Sequence, residues 1–402
     1  MFLSITCPPG LAQTTKQELS ILGFQDARVL SPSLVLLETQ DESSIAYLNL
    51  WLRTANKVSL ILTRQHQTES FDELFDRLWE IDWVEYISPG QNVVVYAFAK
   101  NSQLHHTPSI QSISQKAIFS KLSPDRKWIV YPKAGTLEVE IVIVDNILSV
   151  SLNTSGPSLY RRGYRTEAGQ APLKETIAAG LVLGVGWRFD DILRDPCCGS
   201  GTIAIEAALI AKNIAPWFQR SFAFESWKRY NSDYLARFKA QAPELLKDKD
   251  HRIYAWDIDP EMIEMAQRNA QRAGVWDAIA RTAHDLRSYT DKQDIVSSFK
   301  DQDKISWSSW FSQFDYGQGS EYDTQDQKAT SICLLTNPPY WDRLKPEWLK
   351  DLYRHMLQLY RQETIYGGYI SSYRVENHFD MSGRIKKELR NGAEKVQFWK
   401  KS

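Results

Sequence analysis

Apolar residues in the first 150 or so positions recur in short runs, at helical spacing and then at strand spacing. Leu11, Thr15, Leu19 and Leu22 fall on one helical face, and Gly23 stops that helix. Ile45, Leu48 and Leu52 repeat the spacing, and Phe71, Leu74, Phe75, Leu78 and Trp79 carry it across two turns. Ile110, Ile113 and Ala117 mark a further helix whose opposite face bears Gln111, Gln115 and Lys116. Between these last two helices Val93 to Ala99 reads as a strand. Leu137 to Leu152 reads as a strand pair turning at Asp145-Asn146. Small sheets with helices on one face follow from this pattern. It carries no functional signal.

The pattern changes near Asn153. A basic, aromatic link (Arg161, Arg162, Gly163, Tyr164, Arg165) leads through Pro172 into a helix around Leu173 to Leu183. Ile192-Leu193-Arg194 then runs into a glycine-rich turn and a long apolar helix, Thr202 to Ala211. Arg252 to Trp256 forms a strand ending at Asp257, and Asp259 is placed to cap a helix that has Pro260 at its first position. A third strand is expected to end near Asp285, and a fourth, Ile332 to Thr336, ends at Asn337. A last strand near Ile370 precedes Arg390-Asn391-Gly392-Ala393, a hairpin signal. Strand–helix alternation closed by a hairpin predicts an α/β fold with a doubly wound sheet from about residue 157 onward. The polar, acidic stretch Ser288 to Ser331 reads as a loop insertion.

At 402 residues the chain accommodates two or three domains, at about 150 residues each. A net charge of -1 excludes a uniformly basic, DNA-coating surface, so nucleic-acid contacts need local basic patches. No basic segment followed by an apolar one opens the chain, and no apolar run approaches the ~20 residues of a membrane span. A cytoplasmic protein without membrane contact is expected. Cys7, Cys197, Cys198 and Cys333 include no C-x-x-C pair and no histidine cluster, so no metal is expected and reduced, packed thiols are.

Asp195-Pro196-Cys197-Cys198-Gly199-Ser200-Gly201-Thr202 is the most informative run. Its glycines let the backbone approach a ligand and turn into a helix whose free amides lie beside it. It is neither a G-x-G-x-x-G fingerprint nor a P-loop. Asp257, ending the next strand, can accept the ribose hydroxyls of a nucleoside-bearing ligand. Asp285 can accept the amino group of an adenine. At the fourth strand end, Asn337-Pro338-Pro339-Tyr340 holds extended backbone without two amide donors, leaving carbonyls and the Asn337 oxygen as acceptors. An exocyclic amine donating there turns its lone pair toward a methyl donor, and Tyr340 offers a stacking face for the base. Each feature alone also fits plain structure: a structural glycine turn, a solvated strand-end carboxylate, a Pro-Pro turn. A cysteine nucleophile fits less well, because Cys197 lies in the donor loop and Cys333 inside an apolar strand.

These residues resemble the THUMP-domain class I methyltransferases, close to the bacterial 23S rRNA guanine-N2 methyltransferase group. The resemblance rests on SLYRRGYR (Ser158 to Arg165), APLKETIAAG (Ala171 to Gly180), DPCCGSGTIAIEAALIA (Asp195 to Ala211), NIAPW (Asn213 to Trp217) and FAFESW (Phe222 to Trp227). DIDPEMIEMAQRNAQRAG (Asp257 to Gly274), TNPPY (Thr336 to Tyr340) and the ending LRNGAEKVQFW (Leu389 to Trp399) continue it. FDELF (Phe71 to Phe75) and SQLHHTPSIQSISQKAI (Ser102 to Ile118) resemble a THUMP domain. The resemblance implies a ferredoxin-like domain over 1–57, an RNA-binding THUMP domain over 58–155, and a Rossmann-like methyltransferase domain over 156–402 with an insertion at 288–331. It implies S-adenosylmethionine as cofactor, held by Asp195, Pro196, Cys197, Gly199, Ser200, Gly201, Thr202, Asp257, Ile258, Asp285 and Asn337. The target amine falls to Asn337, Pro338, Pro339 and Tyr340, and RNA phosphates to Lys116, Lys121, Arg161, Arg162 and Arg165. Those cations also fit solvated surface charges. Trp341 and Asp342 depart from the family's glycine and glutamate after the tetrad. The implied reaction is N2 methylation of a guanine in 23S rRNA. The alternatives are a tRNA guanine, an adenine N6, or a non-catalytic RNA-binding or ribosome-assembly factor. The oligomeric state is not legible.

Overall fold

The structure, a computed structural model, describes residues 1–88, 91–122, 136–167, 173–188, 191–246, 252–283, 285–288, 331–339, 346–392 and 394–401. The chain divides into two units: Met1–Arg162 with Asn213–Leu246, and Gly163–Lys212 with Lys247–Ser402.

In the first unit the chain runs β1 (Phe2–Thr6), α1 (Ala12–Ile21), β2 (Ala27–Ser31), β3 (Leu34–Glu38), α2 (Ser44–Trp51) and β4 (Lys57–Gln67). It continues through α3 (Phe71–Glu80), β5 (Asn92–Lys100), α4 (Thr107–Leu122), β6 (Thr136–Val144) and β7 (Ile147–Asn153). These strands make one seven-stranded sheet in the order β2-β3-β1-β4-β7-β6-β5, parallel only between β5 and β6. The 11-residue β4 pairs with β1 along one edge and with β7 along the other, so the sheet does not break near residue 57. Register slips against β7 between Arg64 and His66, where Gln65 takes a φ of 67°. The β6–β7 turn is the one expected, with Asp145 and Asn146 at φ 52° and 63°. Ser70 and Glu73 close a reciprocal capping box that starts α3 where its apolar period begins.

The second unit contains α5 (Glu175–Val185), β8 (Ile192–Asp195) and α6 (Thr202–Ala211). After α7 (Asp233–Gln241), which belongs to the first unit, follow β9 (Ile253–Asp257), α8 (Pro260–Arg272), β10 (Ile279–Ala283) and β11 (Ile332–Thr336). The chain ends with α9 (Pro346–Tyr360), β12 (Ile365–Ser371), β13 (Arg384–Asn391) and β14 (Glu394–Lys401). The sheet order is β10-β9-β8-β11-β12-β14-β13; β10 to β12 run parallel, and β14 and β13 are antiparallel. This is the α/β class I methyltransferase arrangement with its closing hairpin. Strand order reverses between β8 and β11, the point where open parallel sheets leave a crevice at their carboxyl ends.

Two boundaries differ from expectation. The third parallel strand stops at Ala283, two residues before Asp285. Helix α5 starts at Glu175 and runs to Val185, where Gly186 in left-handed geometry caps it. Most of the expected insertion, 289–330, lies outside the described residues.

Helix α6 is buried along its whole length and is apolar but for Thr202 and Glu206. Its single acid, Glu206, is fully buried and accepts the Tyr164 hydroxyl at 2.9 Å. Tyr164 belongs to the basic, aromatic link, so that motif anchors the chain to α6. Tyr164→Phe removes one donor to a buried carboxyl group. A loss of about 1–3 kcal/mol in urea denaturation is expected; an unchanged midpoint would show that the contact contributes nothing.

Candidate active site

Strands β8 and β11 lie side by side at the switch point, with Arg194 opposite Leu334. Their carboxyl ends are joined by one side chain. The Thr336 hydroxyl donates to Asp195 Oδ1 at 2.8 Å and accepts the Cys197 amide at 3.1 Å. The loop after β8 is tied to β9 as well: Cys198 N–H donates to the Trp256 carbonyl at 3.0 Å. Gly199 N–H donates to Asp257 Oδ2 at 2.9 Å, and Asp259 N–H to Asp257 Oδ1 at 3.1 Å. The Asp257 carboxylate is therefore fixed in orientation by backbone amides.

Gly201 turns the loop into α6 at φ 82°, and a Cβ there would come within 2.9 Å of the Ala266 Cβ on α8. Helix α8 presses close because Asp259 caps it as expected, accepting Glu261 N–H at 2.9 Å. Its buried Asn269 donates to the Ser200 carbonyl at 3.1 Å. At Gly199, also left-handed, an added Cβ would meet nothing within 4 Å. Ile258, which follows Asp257 in the chain, is 52% exposed, an apolar side chain in the open. Glycine amides, a fixed carboxylate and an exposed aliphatic face suit a ligand with a ribose and an aromatic base.

Asn337 and Pro338 follow Thr336 directly, Asn337 half-buried and Pro338 buried. The structure thus brings Asp195 to Thr202, Asp257, Ile258, Asn337, Pro338 and Pro339 to the carboxyl ends of three neighbouring strands. Asp285 stands apart from the pattern. It lies in the loop beyond β10, and Arg287 grips both its oxygens, at 3.0 Å through Nε and 2.6 Å through Nη2. Tyr340, Trp341 and Asp342 lie outside the described residues. Thr336 and Asn269 carry no role that the sequence motifs assign. Thr336 is a polar residue closing an apolar strand, and Asn269 is one on the helix face of Met262, Met265, Ala266 and Ala273, the one signal that marks them.

Burial pushes the Asp195 carboxyl up to about 7, and the nearby Asp257 charge adds to this against the Thr336 hydrogen bond. Burial also raises Asp257. It drives the Cys197 and Cys198 thiols well above their ordinary range, and Cys333 up too, so none offers a ready thiolate.

A family profile of the RMKL-like methyltransferase domain matches residues 162–298, and one of the RlmL ferredoxin-like domain matches residues 3–59. The putative RNA methyltransferase YpsC of Bacillus subtilis is 30% identical over 99% of this chain and 96% of its own. The chain belongs to the RMKL-like methyltransferase family. The ribosomal RNA large subunit methyltransferase K/L of Shewanella sp. (strain ANA-3) is 33% identical over 68% of this chain. That match spans 39% of the K/L protein's length. A solved putative methyltransferase complexed with SAH is 30% identical, with a TM-score of 0.80 over 99% of this chain and 97% of its own.

For this RMKL-like chain, the five basic residues expected to face RNA separate into two groups. Arg165 turns inward: its side chain is only 10% exposed, paired with Glu175 at 3.0 Å and donating to the Leu173 carbonyl at 2.8 Å. Arg162 is likewise drawn inward, donating to the Arg53 carbonyl and lying over the Trp217 ring. Lys116 and Arg161 are exposed, Arg161 over Tyr160, and Lys121 is half-buried over Trp79.

The raised Asp195 has a pH consequence. The folded protein holds this proton where the unfolded chain has released it, so stability falls as pH rises from about 4 to about 7 and levels off above. Asp195→Asn keeps an acceptor for Thr336 and abolishes the titration. Its stability relative to wild type should increase across that window, by up to about 4 kcal/mol in urea denaturation. A difference independent of pH would mean that Asp195 is ionised throughout.

Proposed function

We propose that this protein transfers a methyl group from S-adenosylmethionine to the exocyclic amine of an RNA base, N2 of a guanine in 23S rRNA. One observation carries the proposal: the glycine loop, the Asp257 carboxylate and Asn337-Pro338 share one edge at the strand-order reversal, tied by Thr336. The SAH complex of a relative supports the choice of donor, and the names of YpsC and the K/L enzymes support RNA, the latter ribosomal RNA. The proposed site of action is the cytoplasm.

The residues from Asp195 to Thr202 hold the donor with their backbone, Asp257 takes its ribose hydroxyls, and Ile258 lies against its base. Asp285 would receive an adenine amine only in competition with Arg287. When bound, the donor supplies an electrophilic methyl carbon on a sulfonium. The protein's remaining task is orientation. The Asn337 oxygen and the neighbouring carbonyl accept the protons of the target amine, turning its lone pair out of conjugation with the ring. A proton released after attack passes to water, so no strong base is required. Tyr340 takes the stacking part assigned to it. Residues 1–57, 58–155 and 156–402 are proposed as ferredoxin-like, THUMP and methyltransferase domains, with Lys116, Lys121 and Arg161 toward RNA phosphates.

Incubation with labelled donor and unmodified rRNA, tRNA or DNA, followed by nucleoside identification, tests the proposal. N2-methylguanosine from rRNA is expected. Label confined to tRNA, to adenine or to DNA would replace the substrate, and donor binding without transfer would indicate a non-catalytic assembly factor. Asn337→Ala should lower kcat at least about 100-fold while SAH titration stays near wild type. An equal loss of SAH affinity would place Asn337 with the donor instead.

A further inference from the structure

The second sheet ends on strand β13, in a hairpin with β14 that is strongly basic. Residues 384–401 carry seven Lys and Arg against Glu388 and Glu394, a surplus of five cations in a chain whose net charge is -1. Two cross-strand pairs set cation against cation: Arg384 lies opposite Lys401, and Arg390 opposite Lys395. Like charges directly opposite one another destabilise a sheet. Guarding an exposed edge takes charge, but it does not take cations paired across the ladder. Arg390 and Lys395 are exposed, and among the described residues neither has an acidic partner.

At the other end of β13 a cavity of about 240 Å³ lies between the last turns of α9 and the start of the strand. Arg354, Arg361 and Arg384 line it, with Leu357, Phe379 and Asp380. Three guanidinium groups thus face one carboxylate, and that carboxylate already accepts the Ser382 amide and hydroxyl, at 2.9 and 3.0 Å. Arg354 pairs with Asp351. Arg361 and Arg384 have no carboxylate within pairing distance among the described residues, and Arg384 lies over the Tyr360 ring. Lys401 donates to the Gln362 and Ile365 carbonyls, and burial, aided by the Arg384 charge, holds its ammonium below the usual lysine range.

The hairpin leads from this cavity to the edge that carries Asn337. Gln397 of β14 pairs with Ser371, the last residue of β12, so Arg390 and Lys395 lie past the carboxyl end of that strand. Strand β12 runs parallel to β11, whose carboxyl end precedes Asn337. Three strand spacings, about 14 Å, separate β13 from β11.

We infer that the β13–β14 hairpin and the arginine cavity bind the phosphate backbone of the RNA, with Arg390 and Lys395 nearest Asn337 and the cavity farthest from it. The inference rests on the proposed RNA substrate. Phosphate contacts fix register and orientation without reading sequence, so this surface orients the RNA and leaves the choice of base to the site at Asn337.

The test is the affinity of an unmodified 23S rRNA transcript measured against KCl concentration, with SAH titration as the control for folding. Arg390→Gln combined with Lys395→Gln should weaken RNA binding roughly 5- to 50-fold and make the log–log salt slope shallower by roughly 1 to 2, with SAH affinity unchanged. The swap Arg390→Lys with Lys395→Arg keeps both charges and should bind as wild type does. The urea midpoint of the Gln pair should hold or rise, because a repulsion is gone; a fall would mark these residues as structural and overturn the inference. Unchanged RNA affinity and slope in the Gln pair, or an equal loss in the swap, overturn it as well. Inorganic phosphate tests the other source of the same chemistry: saturable binding that Arg384→Gln abolishes, with RNA affinity intact, takes the cavity away from RNA and gives it to a free anion. Wild-type protein that methylates RNA while the Gln pair binds normally sinks the surface alone. A protein that neither binds nor methylates RNA sinks the proposed function with it.

Discussion

The site depends on one hydroxyl group. Thr336 sits where the strand order reverses, and its oxygen receives the Cys197 amide while its proton goes to Asp195. Asp195 is almost completely buried, and a carboxyl group removed from water needs a donor or a proton. Thr336 supplies the donor, and burial nonetheless raises the acid's affinity for a proton. The same oxygen holds the start of the glycine loop, so the buried acid, the loop and the strand end before Asn337 are linked through one side chain. The Gly199 bond to Asp257 extends that unit to the next strand.

The basic, aromatic link shows how misleading charge can be when read without burial. Arg162, Tyr164 and Arg165 point to backbone carbonyls, to Glu206 and to Glu175. Each satisfies a polar group that folding would otherwise strand away from water, so the motif belongs to assembly of the fold. Glu167, just beyond it, continues the theme. Arg268 and Arg272 on α8 grip its carboxylate and hold it down to about 2. A single stretch of chain thereby fastens α6, α5 and α8, the helices that flank the glycine loop.

Features set by local chemistry were legible in the sequence. Asp145-Asn146 and Asn391-Gly392 announced their hairpins, Asp259-Pro260 announced a helix start, and the strand ends carrying Gly199, Asp257 and Asn337 fell where apolar runs stop. What was not legible depends on long-range placement. The pairing of Thr336 with Asp195 spans 141 positions, and nothing near either residue announces it. Asn269 sits on a helix face that reads as apolar, yet it is the residue that reaches Ser200. Strand β10 ends at Ala283, and Asp285 beyond it is held by Arg287, a two-residue contact that no hydrophobic period records.

The long strand β4 has a consequence for how this protein can be cut. Its 11 residues serve β1 on one side and β7 on the other, with Ser59 to Ile61 engaged on both at once. A fragment beginning near residue 58 would keep β4 but lose its neighbour, baring a row of amides and carbonyls beside Val58 and Leu60, side chains now shielded. Such an edge recruits other chains. The ferredoxin-like portion therefore also acts as a molecular hem, keeping the remaining sheet from unravelling into aggregates.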